Sequence, residues 1–127
     1  MKIKPDNVVA AIIKKENYYF IAQRNKKKYM GLKWEFPGGK VETGESFEEA
    51  LEREIKEELN IKINILNKIA KETFNDSSIN VIIHYYLCSM DNELIELLEH
   101  NQSAWVKKNE FYKYSFVPGD DKVLSLL

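Results

Sequence analysis

Glu54, Glu57 and Glu58 stand three and four residues apart in a stretch that reads as a helix. Side chains at those spacings are helix neighbours, and like charges there repel by about 0.2–0.5 kcal/mol per pair. A chain that accepts this repulsion at overlapping spacings has either a well-solvated face or a cation to hold. Carboxylate oxygens suit hard divalent cations, and Mg²⁺ commonly takes one or two carboxylates together with substrate phosphates. The triplet therefore points toward phosphate chemistry. Taken alone it reads as an ordinary charged helix, since Glu is a good helix former. Joined to the preceding Gly38-Gly39 pair, to Glu45 and to Arg53, the ordinary helix becomes a poor account.

The elements around the triplet follow from pattern. Ser46-x-x-Glu49 is a capping box that starts a helix. Phe47, Leu51, Ile55 and Leu59 recur every four residues as an apolar stripe, and Asn60 is a stop that tolerates the left-handed conformation. At about 100° per residue the three acids fall beside that stripe, whereas Glu49, Glu52 and Lys56 point away from it. Upstream, Val8 to Ile13 and Tyr18 to Gln23 read as strands joined by a hairpin turn. Residues 24–33 read as a loop, and Trp34-Glu35-Phe36 as a strand that ends in a Pro37-Gly38-Gly39 turn. Downstream, Ile61 to Phe74 and Ile79 to Met90 read as long strands joined by Asn75-Asp76-Ser77-Ser78. Glu93 to Leu98 fits a short strand or a helical turn. Ala104 to Val106 reads as a strand, Lys108 to Tyr114 as a short helix, and Asp121 to Leu127 as a last helix capped by Asp120. The order predicts an α+β, layered fold with a mixed sheet and helices on its faces.

Composition narrows the classes. The chain has 127 residues, 44% hydrophobic and 31% charged, which predicts one soluble globular domain over 1–127. Net charge is −1, yet residues 42–58 hold eight Glu against Arg53 and Lys56. A local acidic concentration in a mildly basic body suits a metal-bridged polyanion and does not suit a duplex nucleic-acid binder. Lys26-Lys27-Lys28 reads as a solvated loop able to steer phosphates. The single Cys88 lies in an apolar run and reads as a buried, inert thiol in a reducing compartment. No stretch approaches the ~20 apolar residues of a membrane span. The polar start, Met1 to Asp6, lacks a signal-peptide core, so a cytoplasmic location is expected. The oligomeric state stays open between monomer and homodimer.

The motif Gly39-x5-Glu45-x7-Arg53-Glu54-Ile55-x-Glu57-Glu58-x-Asn60-Ile61 closely resembles the Nudix box, the signature of the Nudix hydrolases. Only its second glycine departs, replaced by Asn60. The segment Trp34-Glu35-Phe36-Pro37-Gly38-Gly39-Lys40 is similar to the one that precedes the box in MutT-like members, which hydrolyse nucleoside triphosphates. Arg24, Phe74, Glu99-His100, Trp105 and Pro118-Gly119-Asp120 follow in a similar order. The resemblance implies the Nudix α/β/α sandwich around a central mixed sheet.

It also implies roles. Glu54, Glu57 and Glu58, with the Gly38 carbonyl, would hold Mg²⁺, with Mn²⁺ as a substitute. Arg53 would pair with Glu45 and fix the loop against the helix, a bidentate task unsuited to Lys. The general base stays open among Glu54, Glu57 and Glu99. Arg24 is a candidate phosphate contact, though a surface Arg is as good a reading. Glu35, Phe36, Pro37 and Gly38 belong to the expected substrate-binding segment. Phe36 and Phe74 could stack on a nucleobase, and Asp120 could read its edge; packing and helix capping are the plainer readings of those three. His84 reads as a hydrogen-bonded sheet histidine, Trp105 as a core anchor, and His100 receives no role.

The activity implied is Mg²⁺-dependent hydrolysis of a nucleoside triphosphate to monophosphate and pyrophosphate. An oxidised purine such as 8-oxo-dGTP is the first expected substrate, for sanitation of the nucleotide pool. CTP or a modified dCTP is the alternative. A non-catalytic nucleotide-sensing or protein-binding module is the alternative of another class.

Overall fold

The computed structural model describes residues 4–92 and 94–127. The first three residues of the polar N-terminal start, and Glu93 at the head of the ambiguous 93–98 stretch, lie outside the described residues. Strands β1 (Asp6–Lys15), β2 (Tyr18–Gln23), β3 (Trp34–Glu35) and β4 (Gly38–Lys40) precede helix α1 (Phe47–Leu59). Strands β5 (Ile63–Asn75), β6 (Asn80–Met90) and β7 (Gln102–Lys107) follow, then a 3₁₀ turn over Lys108–Lys113 and helix α2 (Asp120–Val123). The strands run in the order β3-β2-β1-β6-β5, with β4 on β1 and β7 on β2. β1 pairs in parallel with β6, from Asp6 opposite Val81 to Ile13 opposite Cys88, while the other named pairs are antiparallel. The sheet is therefore mixed.

β1 explains the layering. Its residues alternate across the sheet with period two, and both faces are buried. Val9, Ala11 and Ile13 pack with Leu51, Ile55 and Leu59 of α1. Ala10 and Ile12 pack on the other face with Phe111, Phe116 and Val123 from the C-terminal segments. A helix on one side and helical turns on the other give the expected α+β sandwich.

α1 forms as its sequence dictates. The Ser46 hydroxyl accepts from the Glu49 amide at 3.0 Å, and Glu49 Oε1 accepts from the Ser46 amide at 2.8 Å. Asn60 closes the helix at φ 53°, ψ 40°, the left-handed conformation that Asn tolerates better than most residues. Three readings need correction. Gly38-Gly39 is not a turn but strand β4, hydrogen-bonded to β1; a side chain on Gly38 would overlap the Val9 carbonyl, so glycine there permits the close pairing. The short helix expected over Lys108 to Tyr114 is present, as a 3₁₀ helix over Lys108–Lys113. Asp120 does not cap the last helix. It is the first residue of α2, and its carboxylate turns inward. Residues 94–98 form neither strand nor helix; the Glu96 and Leu98 amides instead donate to the Leu59 and Glu58 carbonyls, satisfying orphan groups at the end of α1.

Candidate active site

A cleft of about 460 Å³ opens between β4, the C-terminal half of α1, the 24–33 loop and the C-terminal segment. Its lining is of two kinds. Glu35, Glu54, Glu58, Glu99, Arg24 and Lys28 are charged, whereas Met30, Phe36, Phe74, Ile79, Val81 and Ile83 are apolar. Gly38, Gly39 and Asp120 also face it.

Arg53 organises the helix side. Its Nε donates to Glu45 Oε2 at 2.6 Å and its Nη2 to Glu45 Oε1 at 2.9 Å. The same guanidinium reaches Glu54 at 2.8 Å, Glu57 at 3.0 Å and the Lys40 carbonyl at 3.0 Å. The planar fork thus ties the 42–45 turn, β4 and α1 together. The Arg53 guanidinium, followed by the Glu42–Glu45 backbone bond, pulls the Glu45 carboxyl down to about 2. Glu54 lies directly against Gly39, where any side chain would overlap its carboxylate. Burial pushes the Glu54 carboxyl up, with Arg53 opposing.

The three acids are placed unequally. Glu57 is half-exposed and held by Arg53, and it does not line the cleft. Glu54 and Glu58 do. Glu58 is buried, and its Oε1 has no hydrogen-bond partner. Burial, followed by the Glu35 and Glu54 charges, pushes its carboxyl up to about 10. Among the described residues no three acidic, His or Cys side chains already converge as a cation cage, because Arg53 draws Glu54 and Glu57 to its own side. The donor set nevertheless fits a hard cation. Glu58, with an orphaned buried carboxylate oxygen, shares the cleft lining with Glu54, Glu99 and Gly38, and oxygen donors are what Mg²⁺ takes.

The remaining expected residues fall as follows. Arg24 lines the cleft but is engaged, with Nε on the Tyr29 carbonyl and Nη1 on Glu35, both at 2.8 Å. Phe36 is buried against Phe116 and still borders the cleft, and Phe74 is half-buried on its rim. Pro37 is fully buried and does not line it; its carbonyl accepts from the Ala11 amide at 2.8 Å. Asp120 is buried, accepting from the Phe36 amide at 2.9 Å and from the Tyr85 hydroxyl at 2.5 Å. Burial drives its carboxyl up to about 7, with those two bonds opposing. Glu99 faces the cleft from the loop before β7.

Sequence reading missed three participants. Tyr85 holds Asp120, and its place beside Ile83 on alternate positions of β6 was the available signal. Tyr29 hydrogen-bonds Asp76, linking the 24–33 loop to the β5–β6 turn by a pairing that no local pattern announces. His100 bonds Glu35 at 2.8 Å.

A family model described as the NUDIX domain matches residues 4–127, and the chain belongs to that family, in its MutT-like branch. Curated relatives include a CTP pyrophosphohydrolase of Escherichia coli, 32% identical over 96% of this chain and 90% of that protein. An 8-oxo-dGTP diphosphatase of Proteus vulgaris is 40% identical over 76% of this chain and 88% of that protein. Among solved structures, MutT from a methicillin-resistant Staphylococcus aureus superposes with a TM-score of 0.79 at 36% identity, covering 97% of this chain and 95% of that one. No described helix is long and apolar enough to cross a membrane.

Proposed function

We propose that the chain hydrolyses a nucleoside triphosphate to the monophosphate and pyrophosphate with Mg²⁺, for which Mn²⁺ can substitute, and that its work is sanitation of the cytoplasmic nucleotide pool. Glu54, Glu57 and Glu58, with the Gly38 carbonyl, would hold the cation. The observation that carries this reading is the buried, unpartnered Glu58 Oε1 in a cleft wall shared with Glu54, Glu99 and Gly38. A bound divalent cation supplies neutralisation of phosphate charge and a water of lowered pKa.

The side chains supply positioning, which is most of what phosphoryl transfer asks of a protein. Arg53 and Glu45 lock the β4 backbone onto α1. Lys28 and the remaining edge of Arg24 attract the triphosphate into the cleft. Glu99, on a separate loop that borders the cleft, would take a proton from an attacking water, with Glu54 and Glu57 as the other candidates for that role. Glu35 braces Arg24, and the buried Pro37 stiffens the segment that presents Phe36 and Gly38. Phe36 and Phe74 offer apolar walls to a base.

The 8-oxo-dGTP reading is supported by the diphosphatase relative at 40% identity. CTP is the second reading, supported by the pyrophosphohydrolase relative that spans 96% of this chain and by Asp120. Its oxygens can accept from an exocyclic amino group such as that of cytosine. A panel of nucleoside triphosphates incubated with Mg²⁺ and scored for pyrophosphate against orthophosphate tests the proposal. Pyrophosphate release from 8-oxo-dGTP or CTP is expected. Orthophosphate as the product overturns the assigned bond. Tight binding without turnover establishes a sensing module instead.

A further inference from the structure

The two histidines differ in how their ring nitrogens are used. His84 is bonded at both, to Lys68 Nζ at 2.6 Å and Asn7 Oδ1 at 2.9 Å, as a structural histidine should be. His100 is bonded at one. Its Nε2 stands 2.8 Å from Glu35 Oε2 and 3.9 Å from Glu58 Oε1. Its side chain is 5% exposed, and Nδ1 has no partner. Facing a carboxylate, Nε2 carries the proton. Glu35 is in turn held on its other oxygen by Arg24 Nη1 at 2.8 Å. A part-buried chain, Arg24–Glu35–His100, therefore runs from the end of β2 through β3 to the loop before β7, and finishes near the orphan oxygen of Glu58. Arg24, Glu35, Gly38, Glu58, Glu99 and His100 border one small recess of about 50 Å³.

We propose that His100 is a positioning residue: Glu35 fixes its ring, and the Nε2–H so placed, 3.9 Å from the bare Glu58 Oε1, attracts that oxygen and biases Glu58 toward the orientation that receives the divalent cation. Buried polar groups are nearly always satisfied, yet His100 leaves Nδ1 bare while its Nε2, bonded to Glu35, stands near a second bare atom, Glu58 Oε1. A histidine kept only for packing has no need of that placement. Polar groups just behind a ligating carboxylate commonly orient it, and their loss costs about 10–100-fold in metal affinity. The inference rests on the cation reading of Glu58.

Mn²⁺ binding to the nucleotide-free protein, by titration calorimetry and electron paramagnetic resonance, tests it in the wild type, His100→Ala, His100→Gln, Glu35→Gln and the His100→Ala/Glu35→Gln pair. Expected are a roughly tenfold or greater weakening in His100→Ala and in Glu35→Gln, no further loss in the pair, and recovery in His100→Gln, whose amide nitrogen replaces Nε2. In turnover assays His100→Ala lowers kcat more than it raises KM for the nucleotide. Wild-type affinity in His100→Ala, or a His100→Gln variant as weak as His100→Ala, overturns the assignment. Should His100→Ala fail to fold, Glu35→Gln and His100→Gln still decide it: wild-type affinity in the first, or weakened affinity in the second, overturns it. A wild type that binds no Mn²⁺ overturns the cation reading itself.

Discussion

The Tyr85 hydroxyl donates to Asp120 Oδ1 at 2.5 Å, joining the middle of β6 to the first residue of α2 beneath the cleft. With the Phe36 amide on Oδ2, it fixes a fully buried carboxyl at the cleft lining. Tyr85→Phe leaves that carboxyl one donor short. Hydrogen bonds to a charged group contribute about 1.5–3 kcal/mol, so denaturant unfolding is expected to show a loss of about that size. Mn²⁺ affinity stays at the wild-type value, while the order of preference among nucleoside triphosphates changes. An unchanged order shows that Asp120 serves only the fold.

Asp120 also predicts a pH dependence. Its folded pKa, about 7, lies above the unbonded value of 3.8 because burial penalises the charge. Between those values the folded state binds more protons than the unfolded chain, so stability falls as pH rises from about 4 to 7. The full span is at most about 4 kcal/mol. Asp120→Asn is expected to flatten this slope in unfolding curves measured across that range. The amide can keep one acceptor for the Phe36 N–H and donate to the Tyr85 oxygen.

His84 works in the opposite sense. Burial, followed by the charges of Lys68 and Lys71, lowers its pKa to about 4. Between about pH 4 and 6.5 the unfolded chain binds the extra proton, so this group makes stability rise with pH. His84→Gln is expected to remove that rise and leave the falling contributions of Asp120, Glu58 and Glu54, whose carboxyls burial pushes up. The double variant with Asp120→Asn is expected to keep only the fall that the buried Glu58 and Glu54 carboxyls give.

Arg53 grips Glu45 with two nitrogens while a third reaches Glu54 and Glu57. Arg53→Lys preserves the charge and loses the fork. We expect kcat to fall about tenfold or more with little change in KM for nucleotide, because β4 and α1 lose their brace and no direct substrate contact is removed. A KM change without a kcat change places Arg53 on the substrate instead.

Much of this site was legible because its information is local. The capping box, the four-residue stripe and the left-handed Asn60 are consequences of residues within one helix, and they placed α1 with Glu54 and Glu58 at the cleft, whereas Glu57, expected beside them, lies exposed on Arg53. The Arg53–Glu45 pair was likewise readable from the box. What pattern could not supply is long-range. Gly38-Gly39 has the composition of a turn, and only the nearness of Val9 makes it a strand. Asp120 has the composition of a cap, and only Tyr85 and Phe36, far away in sequence, turn it inward. His100 looked like a loop residue until Glu35 and Glu58 were seen to meet it.

The unequal burial of the acids separates two variants that the box alone treats alike. Glu58 is 5% exposed with an oxygen left bare, whereas Glu57 is half-exposed on Arg53. Glu58→Gln replaces a buried carboxyl that must take up a proton on folding by a neutral amide, and metal-free protein is expected to melt higher, by roughly 1–3 kcal/mol of added stability. Glu57→Gln removes a screened surface partner of Arg53 and is expected to leave the melting temperature nearly unchanged. Both are expected to lose at least about a hundredfold in kcat, as removal of a key electrostatic group does. Mn²⁺ should raise the melting temperature of the wild type and not of Glu58→Gln. A Glu58→Gln variant that is destabilised without metal yet still stabilised by Mn²⁺ would show that Glu58 is a structural acid and that the cation is held elsewhere in the cleft.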